Sequence, residues 1–378
     1  MGNTTIKEKR NPRFTLTEQQ ERTYLKMLAD AGTPKQPTER RRYRMTREMY
    51  SQVKADGFKV LDGLTIKGRS TLVDSNGDTV LQWIKTTRDH ERLEEMLVAA
   101  LDGLKSDIEP TKPVKLKSTS HAPNLCNQYT ITDYHLGMMA WGEETGADWD
   151  LAIAEKLLID WFGAAIAQSP KAETAVLAQL GDFLHWDGMD AVTPASKHVL
   201  DADTRFSKLV RTAVRVLRKV INMMLEKYPK VHIVMAEGNH DLASSVWLRE
   251  MFSAFYENED RLTVDTNPDP YYCYEHGQTM LFYHHGHKKK FGQIASTFVS
   301  KFKQQYGRSK NCYAHTGHLH FDKIETGLMT LEQHQTLAAK DAYASRGGWN
   351  SGRSASVITY HKQHGEVGRI RLSPDMFN

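Results

Sequence analysis

The sequence predicts an α/β layered domain that follows a smaller, mainly helical domain. After residue 124, short apolar runs alternate with amphipathic helical segments, as in layered α/β domains. Before residue 107, the pattern is two or three short helices and a hairpin. Residues 108–123 are rich in proline, lysine and serine and are the best candidate linker. The predicted divisions are therefore 1–107, 108–123 and 124–378.

The composition indicates a globular protein of the cytoplasm. The 378 residues are 40% hydrophobic and 25% charged. No apolar stretch approaches the roughly 20 residues that cross a bilayer, and the start, MGNTTIKEKR, lacks the apolar region of a signal peptide. Three widely spaced cysteines form neither a disulfide framework nor a zinc ribbon. We therefore expect a reducing compartment and no membrane partner.

The first 107 residues are compatible with a winged-helix DNA-binding module. Residues 1–120 hold 23 Lys/Arg against 17 Asp/Glu, whereas the remainder holds 27 against 29, and excess positive charge favours phosphate binding. The densest basic run is residues 34–54, which a solvated helix face explains equally well. Many domains that bind no DNA share the outline of helices followed by a hairpin. The predicted elements are helices at 15–32, 45–57 and 89–107, and a hairpin at 69–86 around Asn76-Gly77 with Lys67, Arg69 and Lys85 on the wing.

Four apolar runs and one long helix mark the second domain. Along the helical segment 201–228, apolar residues share one face while Arg211, Arg215 and Lys219 share another. That basic face could track nucleic acid, but a solvated surface is the favoured explanation. The predicted strands are 127–132, 174–180, 231–237 and 279–284.

Polar clusters stand where these strands should end. Taken singly, each is explained by a turn, a helix cap or a hydrogen-bonded core histidine. However, seven of the 17 histidines lie within residues 276–320, and open α/β sheets place their sites at the carboxyl ends of strands. Together they indicate a metal site. The clusters are TDYHLG (132–137), GDFLHWDG (181–188), GNHD (238–241), HHGH (284–287) and GHLH (317–320).

The ordered motifs DxH, GDxxH, GNHD, H and GHxH resemble those of the calcineurin-like metallophosphoesterase superfamily, over residues 124–325. The GDFLH form is similar to the DNA-repair exonuclease branch. The preceding helices and hairpin, with GDFLHWDG and KHVLDADTRF, resemble phage- and prophage-encoded phosphoesterases that carry a helix-turn-helix segment. The resemblance implies a layered β-sandwich flanked by helices and hydrolysis of phosphate esters.

The resemblance also implies two adjacent divalent metal ions. A mixed imidazole and oxygen set suits manganese, iron or zinc, and we expect Mn²⁺ first. His284 and His287 compete with His285, but the family pattern favours the histidine directly before the glycine. The implied ligands are Asp133, His135 and His320 for the first ion, Asn239, His285 and His318 for the second, and Asp182 as the bridge.

His240, Asp241 and His185 are the expected catalytic residues. The resemblance implies that His240 protonates the leaving oxygen or stabilises the transition state, and that Asp241 orients its ring. His185 occupies the position at which the exonuclease branch has a second functional histidine. An equally good interpretation is that His185 only orients the metal ligands.

Arg346, Arg353 and Trp186 are the candidate substrate contacts. Arginine forks suit phosphate, and Trp349 between the two arginines offers a ring on which a base can stack. A plain surface loop at 345–356 is the favoured alternative, and Trp186 is ambiguous.

The expected function is a metal-dependent phosphodiesterase that acts on nucleic acid, above all a DNA nuclease. A phosphatase or phosphodiesterase of small molecules, including nucleotides and cyclic nucleotides, is the second candidate. A DNA-binding regulator with an idle phosphoesterase domain is the third. A phosphoprotein phosphatase is disfavoured because GDFLHWDG lacks the GDxVDRG pattern of that branch.

Overall fold

The computed structural model describes residues 64–73, 79–88, 112–117, 120–194 and 196–377. The chain divides into two compact units, Met1–Asp107 and Ile108–Asn378. In the first unit, strands β1 (Leu64–Val73) and β2 (Thr79–Arg88) pair antiparallel, so the predicted hairpin is confirmed and is longer at both ends. Lys67 and Lys85 are exposed on it. The predicted turn Asn76-Gly77, the three predicted helices and the winged-helix arrangement lie outside the described residues.

Two β-sheets form the framework of the second unit. Their strands are β3 (Ala122–Ile131), β4 (Ala172–Gln179), β5 (Lys230–Met235), β6 (Leu262–Val264), β7 (Tyr272–His276), β8 (Thr279–Tyr283), β9 (Asn311–Thr316), β10 (Lys323–Thr326), β11 (Thr330–Gln333), β12 (Ala355–His361) and β13 (Gly365–Leu372). One sheet has the order β13-β12-β3-β4-β5-β6, and the other has the order β10-β11-β9-β8-β7. Strands β3 to β6 are parallel to one another, and so are β8, β9 and β11.

Helices cover the outer faces of both sheets. They are α1 (Gly142–Thr145), α2 (Leu151–Gln168), α3 (Phe206–Lys227), α4 (Leu242–Phe255), α5 (Phe291–Lys301), α6 (Lys303–Arg308), α7 (Ala342–Arg346) and a 3₁₀ turn at Pro374–Phe377. Tyr129 of β3 stacks on Phe162 of α2, with ring centroids 5.7 Å apart. In the part of the chain that the structure describes, no helix combines the length and apolar character needed to span a membrane.

Strand β8 shows how the two layers are held together. Leu281 and Tyr283 belong to the core between the sheets, where Val176 and Val234 face them. Met280 and Phe282 belong to the outer core against α5. Side chains along a strand alternate between its faces, so a continuous apolar run of this kind serves two cores at once. The predicted fold class, a layered sandwich flanked by helices, is confirmed for this unit.

The predicted elements match the observed ones closely. Strands 127–132, 174–180, 231–237 and 279–284 correspond to β3, β4, β5 and β8, and the segment 201–228 contains α3, which begins at Phe206. The apolar face of α3 is buried, while Arg215 on the other face pairs with Glu155 of α2 at 2.5 Å. That ion pair agrees with a solvated helix face.

The segment predicted as a linker is bound to the second unit along its described part. The amide of Val114 donates to Glu259 at 3.2 Å, and Arg261 donates to the carbonyl of Val114 at 2.5 Å. Lys117 pairs with Glu226 at 2.8 Å. The last two residues of the predicted linker already belong to β3.

Candidate metal centre

The polar clusters that follow the strands converge at one edge of the sandwich. Strands β3, β4 and β5 run parallel, as do β8 and β9, so the carboxyl ends of each set meet at the same edge of their sheet. The residues placed there are Asp133 and His135 after β3, Asp182 and His185 after β4, Asn239, His240 and Asp241 after β5, His285 after β8, and His318 and His320 after β9.

The first group of ligand atoms comes from Asp133, His135 and His320, and these atoms lie within 4.8 Å of one another. Nε2 of His320 is 3.1 Å from Oδ1 of Asp133. The other carboxylate oxygen of Asp133 accepts hydrogen bonds from Thr132 Oγ1 at 2.5 Å and from the amide of His318 at 2.8 Å. The protein thus fixes one oxygen and leaves the other facing the histidines, as the supporting contacts of a metal ligand do.

The second group comes from Asp182, His285 and His318, again with ligand atoms within 4.8 Å of one another. Nε2 of His285 lies 3.1 Å from Oδ2 of Asp182 and 3.1 Å from Oδ1 of Asn239. Its Nδ1 donates to the carbonyl of Leu180 at 2.8 Å, which fixes the tautomer. All seven predicted metal ligands are therefore brought together.

The two groups are adjacent. Oδ1 of Asp133 is 3.1 Å from Nε2 of His320 and 3.8 Å from Nε2 of His285. Asp133 thus lies within reach of both groups, and so does Asp182, whose charge acts on His135 and His320 of the first group as well as on His285. The bridging role of Asp182 stays a prediction.

The backbone at this edge is held in a conformation that most residues avoid. Among the described residues, six other than glycine have positive φ, and five of them belong to the clusters: Asp133 (50°), His135 (45°), Asp182 (51°), His318 (76°) and His320 (59°). Left-handed backbone is unfavourable for residues with a Cβ and persists where the surroundings enforce it, often at functional sites. The close packing around Asp133 and Asp182 is one such constraint.

Two glycines permit that close packing. A Cβ on Gly238 would lie 1.9 Å from Oδ1 of Asp182, and one on Gly317 would lie 1.8 Å from Oγ1 of Thr132. The glycines of GNHD and GHLH are therefore required by the approach of the chain to the two carboxylates.

The electrostatics of the centre call for a cation. Burial would raise the pKa of Asp133, but His320 and His285 outweigh it and hold that pKa below its ordinary range. Burial would lower the pKa of His285, but Asp182 and Asp133 raise it to about 10. Without a bound cation, protonated histidines thus balance the negative charge of the buried carboxylates. A divalent cation would take over that role, and imidazole nitrogen with carboxylate and amide oxygen suits Mn, Fe or Zn, so these residues fit a two-metal site.

His240 and His185 lie together at the rim of the centre. Nδ1 of His240 donates to the backbone carbonyl of His185 at 2.8 Å, which leaves Nε2 available to a ligand. The two rings stack with centroids 5.6 Å apart, and Nδ1 of His185 is 3.2 Å from Nδ1 of His135. Burial, followed by the nearby His240, lowers the pKa of His185 to about 3. His185 therefore positions His240 through its carbonyl and lies against a predicted ligand.

The predicted role of Asp241 is wrong. Its carboxylate does not contact the ring of His240; it accepts hydrogen bonds from the amides of Gly238, Asp182, Phe183 and Leu184 at 3.0, 3.1, 2.7 and 3.2 Å. Burial and then Asp182 raise the pKa of Asp241 to about 7. Asp241 fixes the backbone of the GDFLH turn, so its contribution to the site is indirect.

The structure separates the three histidines of HHGH. His285 joins the second ligand group, as the resemblance implied. His284 stacks on Tyr271, with centroids 4.3 Å apart, and its Nδ1 accepts from the amide of Gly286. His287 lies beside the centre, with its ring centroid 5.2 Å from that of His285.

The three predicted substrate contacts have other roles. Trp186 is buried, with 1% of its surface exposed, so the prediction that it meets a substrate is wrong. Arg353 donates to the carbonyl of Leu337 at 2.7 Å and lies over the ring of Trp149. Arg346 pairs with Glu144 at 2.8 Å. Neither arginine lines the cavity at the metal centre.

Sequence reasoning missed the wall of that cavity. It has a volume of about 800 Å³, and five predicted ligands and His240 line it together with Phe321, Tyr343 and Trp349. Tyr343 and Trp349 are 72% and 57% exposed and contact each other edge to face, with centroids 5.2 Å apart. The sequence indicated only one residue of this wall, Trp349, because it lies between two arginines.

No protein-family model and no curated protein sequence matches the chain. Among solved structures, the chain is similar to a conserved uncharacterized protein of Streptococcus pneumoniae described as a predicted phosphoesterase, with 10% identity, TM-score 0.29, and coverage of 67% of this chain and 99% of that one. It is also similar to a dimetal phosphatase of Danio rerio, with 8% identity, TM-score 0.36, and coverage of 66% and 99%. Both TM-scores are low, so the function has to be argued from the side chains of this chain.

Proposed function

We propose that this protein is a metal-dependent phosphodiesterase that hydrolyses nucleic acid, with DNA as its main substrate. The observation that carries the proposal is the pair of adjacent ligand groups, Asp133/His135/His320 and Asp182/His285/His318, four of whose six residues line one open cavity. With Asn239 beside His285, the centre has the donors for two divalent ions, and Mn²⁺ is the proposed native metal. When bound, two such ions would polarise a phosphate and supply hydroxide near neutral pH.

His240 is the proposed proton donor to the leaving oxygen. It lines the cavity beside the ligands, and its Nδ1 is already bonded to the carbonyl of His185. In the protonated ring, Nε2–H is therefore the group that can pass a proton to a substrate. His185 holds the ring in that orientation.

Replacing His240 by glutamine should lower kcat by about 10²–10⁴-fold, the usual contribution of a positioned acid or base. Its ring lies in a group of potential ligands with His135 and His185 but is not one of the seven proposed ligands, so the metal content of the protein should stay at the wild-type level. Steady-state kinetics on a chromogenic diester and metal analysis of the same preparation provide the test. A variant with wild-type kcat would remove His240 from the mechanism.

The aromatic wall supports a nucleotide substrate. Tyr343 and Trp349 present exposed rings in the same cavity as the metal ligands, and stacking on aromatic side chains is the sequence-tolerant way in which proteins hold bases. We also propose that the basic first unit, with its exposed Lys67 and Lys85, binds DNA.

A substrate panel across metals tests the proposed function. Purified protein would be given Mn²⁺, Fe²⁺ or Zn²⁺ and offered bis(p-nitrophenyl) phosphate, a dinucleotide, and single- and double-stranded DNA. We expect DNA cleavage that chelator abolishes. Turnover of the chromogenic diester without cleavage of DNA would favour a small-molecule phosphodiesterase. The absence of any diester turnover with every metal would overturn the proposal.

A further inference from the structure

A second, smaller cavity adjoins the metal centre at His318. Its volume is about 360 Å³, and His318 and Leu319 line both this cavity and the larger one. The remaining wall includes His287 and the three consecutive lysines Lys288, Lys289 and Lys290. We call it the lysine cavity. A ligand in it would lie directly beside a group bound at the metal centre.

The charge of the lysine cavity is positive and only partly compensated. Lys288 pairs with Glu237 at 3.3 Å. Lys289 and Lys290 are exposed, and neither forms an ion pair within the described parts of the chain. No aspartate or glutamate is among the described residues that line the cavity. Two lysines that lack a carboxylate partner beside a concave surface favour an anionic ligand.

The start of α5 adds to this preference. Lys290 is the N-cap residue of this 11-residue helix, its side chain makes no capping hydrogen bond, and the first turn contains no acidic residue. Helix N-termini carry a positive partial charge and usually attract acidic side chains, whereas cations there are unfavourable. The carboxylate of Glu325 approaches Gly292 in this turn but pairs with Lys323 at 2.7 Å, so Lys289 and Lys290 keep a positive charge beside the helix that an anion would balance.

His287 is a further polar group without a partner. Both of its ring nitrogens are shielded from solvent and have no hydrogen-bond partner within the described residues. Its ring lies beside the metal centre, with its centroid 5.2 Å from that of His285 and 6.2 Å from that of His318. Buried polar groups are nearly always hydrogen-bonded, so the wall of the lysine cavity contains an imidazole whose hydrogen-bonding capacity is unused.

We propose that the lysine cavity binds the phosphate next to the scissile one, so that the preferred substrate is a nucleic acid strand and not an isolated phosphate ester. The inference rests on the proposed function, because the metal centre defines which phosphate is cleaved. The aromatic wall would hold a base on one side of His318, and Lys289 and Lys290 would hold the backbone on the other.

The first test measures binding without metal. In chelator-containing buffer, a fluorescent single-stranded oligonucleotide would be titrated with the wild type and with the double variant Lys289→Ala/Lys290→Ala at several salt concentrations. We expect binding to be weaker by at least about tenfold, since two charge-assisted contacts are lost. The slope of log K against log salt should fall in magnitude by about 0.7, the contribution of one phosphate on a single strand.

Lys171→Ala/Lys310→Ala is the matched control. Both lysines are exposed and precede β4 and β9, at the ends of those strands opposite to the metal centre, and neither lines either cavity. The control should keep the wild-type affinity and slope. Equal slopes for the two double variants would overturn the proposal. Lys289→Gln/Lys290→Gln, with a melting curve, excludes a folding defect as the cause of weaker binding.

The second test measures turnover with metal. The double variant should lose at least about fivefold more kcat/KM on an oligonucleotide than on a dinucleotide, which has no second phosphate. Equal losses on both substrates would contradict the neighbouring-phosphate assignment. If the wild type hydrolyses neither substrate with any metal, the proposed function fails, and the metal-free binding experiment still decides whether the lysine cavity binds phosphate.

Discussion

Two clusters in the second unit bring histidine and carboxylate side chains together, and they balance the charge differently. One is the metal centre. The other contains His315, Glu332 and His334, whose ligand atoms also lie within 4.8 Å of one another and are fully buried. By distance alone, both could hold a metal ion.

The second cluster is satisfied by the chain itself. Nε2 of His315 contacts the hydroxyl of Tyr360 at 2.9 Å, and its Nδ1 contacts Nε2 of His334 at 2.9 Å. Arg369 pairs with both carboxylate oxygens of Glu332. Burial would raise the pKa of Glu332, but His334 and Arg369 outweigh it and lower the pKa to about 2. The guanidinium of Arg369 therefore already supplies the positive charge that a metal ion would bring to Glu332.

The metal centre contains no such cation. Within the described residues, the ion pairs of Asp133 and Asp182 are with histidines alone. The comparison teaches that closeness of ligand atoms is a weak criterion. What distinguishes a metal site is that its positive charge must come from outside the chain.

The largest effect should come from removing one carboxylate of the metal centre. Asp182→Asn should lower the metal content and reduce diester turnover by more than about 100-fold, because loss of a ligand exceeds the roughly 10–100-fold loss seen for residues that support ligands. Glu332→Gln, the matched change in the second cluster, should leave the metal content unchanged. Metal analysis of both variants checks this, and equal metal loss would erase the distinction between the clusters.

The free energy of unfolding, unlike the metal content, should depend on the second cluster. Glu332→Gln leaves Arg369 without its buried partner and should lower the free energy of unfolding by about 3–5 kcal/mol. Arg369 also pairs with Glu366, which is 29% exposed, against 2% for Glu332. Glu366→Gln is therefore the control, with an expected loss of at most about 1 kcal/mol. Urea unfolding of both variants gives the two free energies. Equal losses of stability would contradict the proposal that the Arg369–Glu332 pair is the buried and stabilising one.

The contribution of Glu332 should also depend on pH. Its folded-state pKa is depressed from 4.5 to about 2, so its stabilising effect is present above pH 4.5 and is lost as the pH falls through that interval. The difference in unfolding free energy between the wild type and Glu332→Gln should therefore shrink between pH 4.5 and 2. A difference that stays constant over this range would show that the charge of Glu332 is not what stabilises the fold.

Metal binding should raise the free energy of unfolding only through the metal centre. At a free Mn²⁺ concentration 100 times Kd, the free energy of unfolding should rise by about 2.7 kcal/mol for one site, and chelator should reverse the gain. Glu332→Gln should keep this increase and Asp182→Asn should lose most of it. Melting curves with and without metal decide the matter, and a gain retained by Asp182→Asn would move the binding site elsewhere.

The sequence predicted where the ligands lie because of a topological rule, whereas the assignment of each ligand came from the resemblance. Asp133, Asp182 and Asn239 each follow a strand of one parallel sheet, and the carboxyl ends of such strands must meet at one edge, whatever the intervening helices do. His285 and His318 follow β8 and β9 of the other sheet in the same way.

What the sequence did not predict depends on how turns fold. Asp241 directly follows His240, yet the GNHD turn directs its carboxylate to the amides of the GDFLH turn. Arg353 had the chemistry of a phosphate ligand, but the carbonyl of Leu337 was its partner. Spacing along the chain says which residues are near one another in sequence and not which way each side chain points.

The smallest predicted effect on activity is that of replacing Trp349, the residue proposed to hold a base of the substrate near the metal centre. Trp349→Ala should lower kcat/KM on a dinucleotide by about tenfold, within the 1–3 kcal/mol that one stacked base contributes. The loss should be smaller on the same dinucleotide lacking one base, because only the base meets the ring. Trp141 is 61% exposed but does not line the cavity, so Trp141→Ala is the control and should behave like the wild type. An equal loss on both substrates would mean that Trp349 shapes the wall of the cavity and does not hold a base.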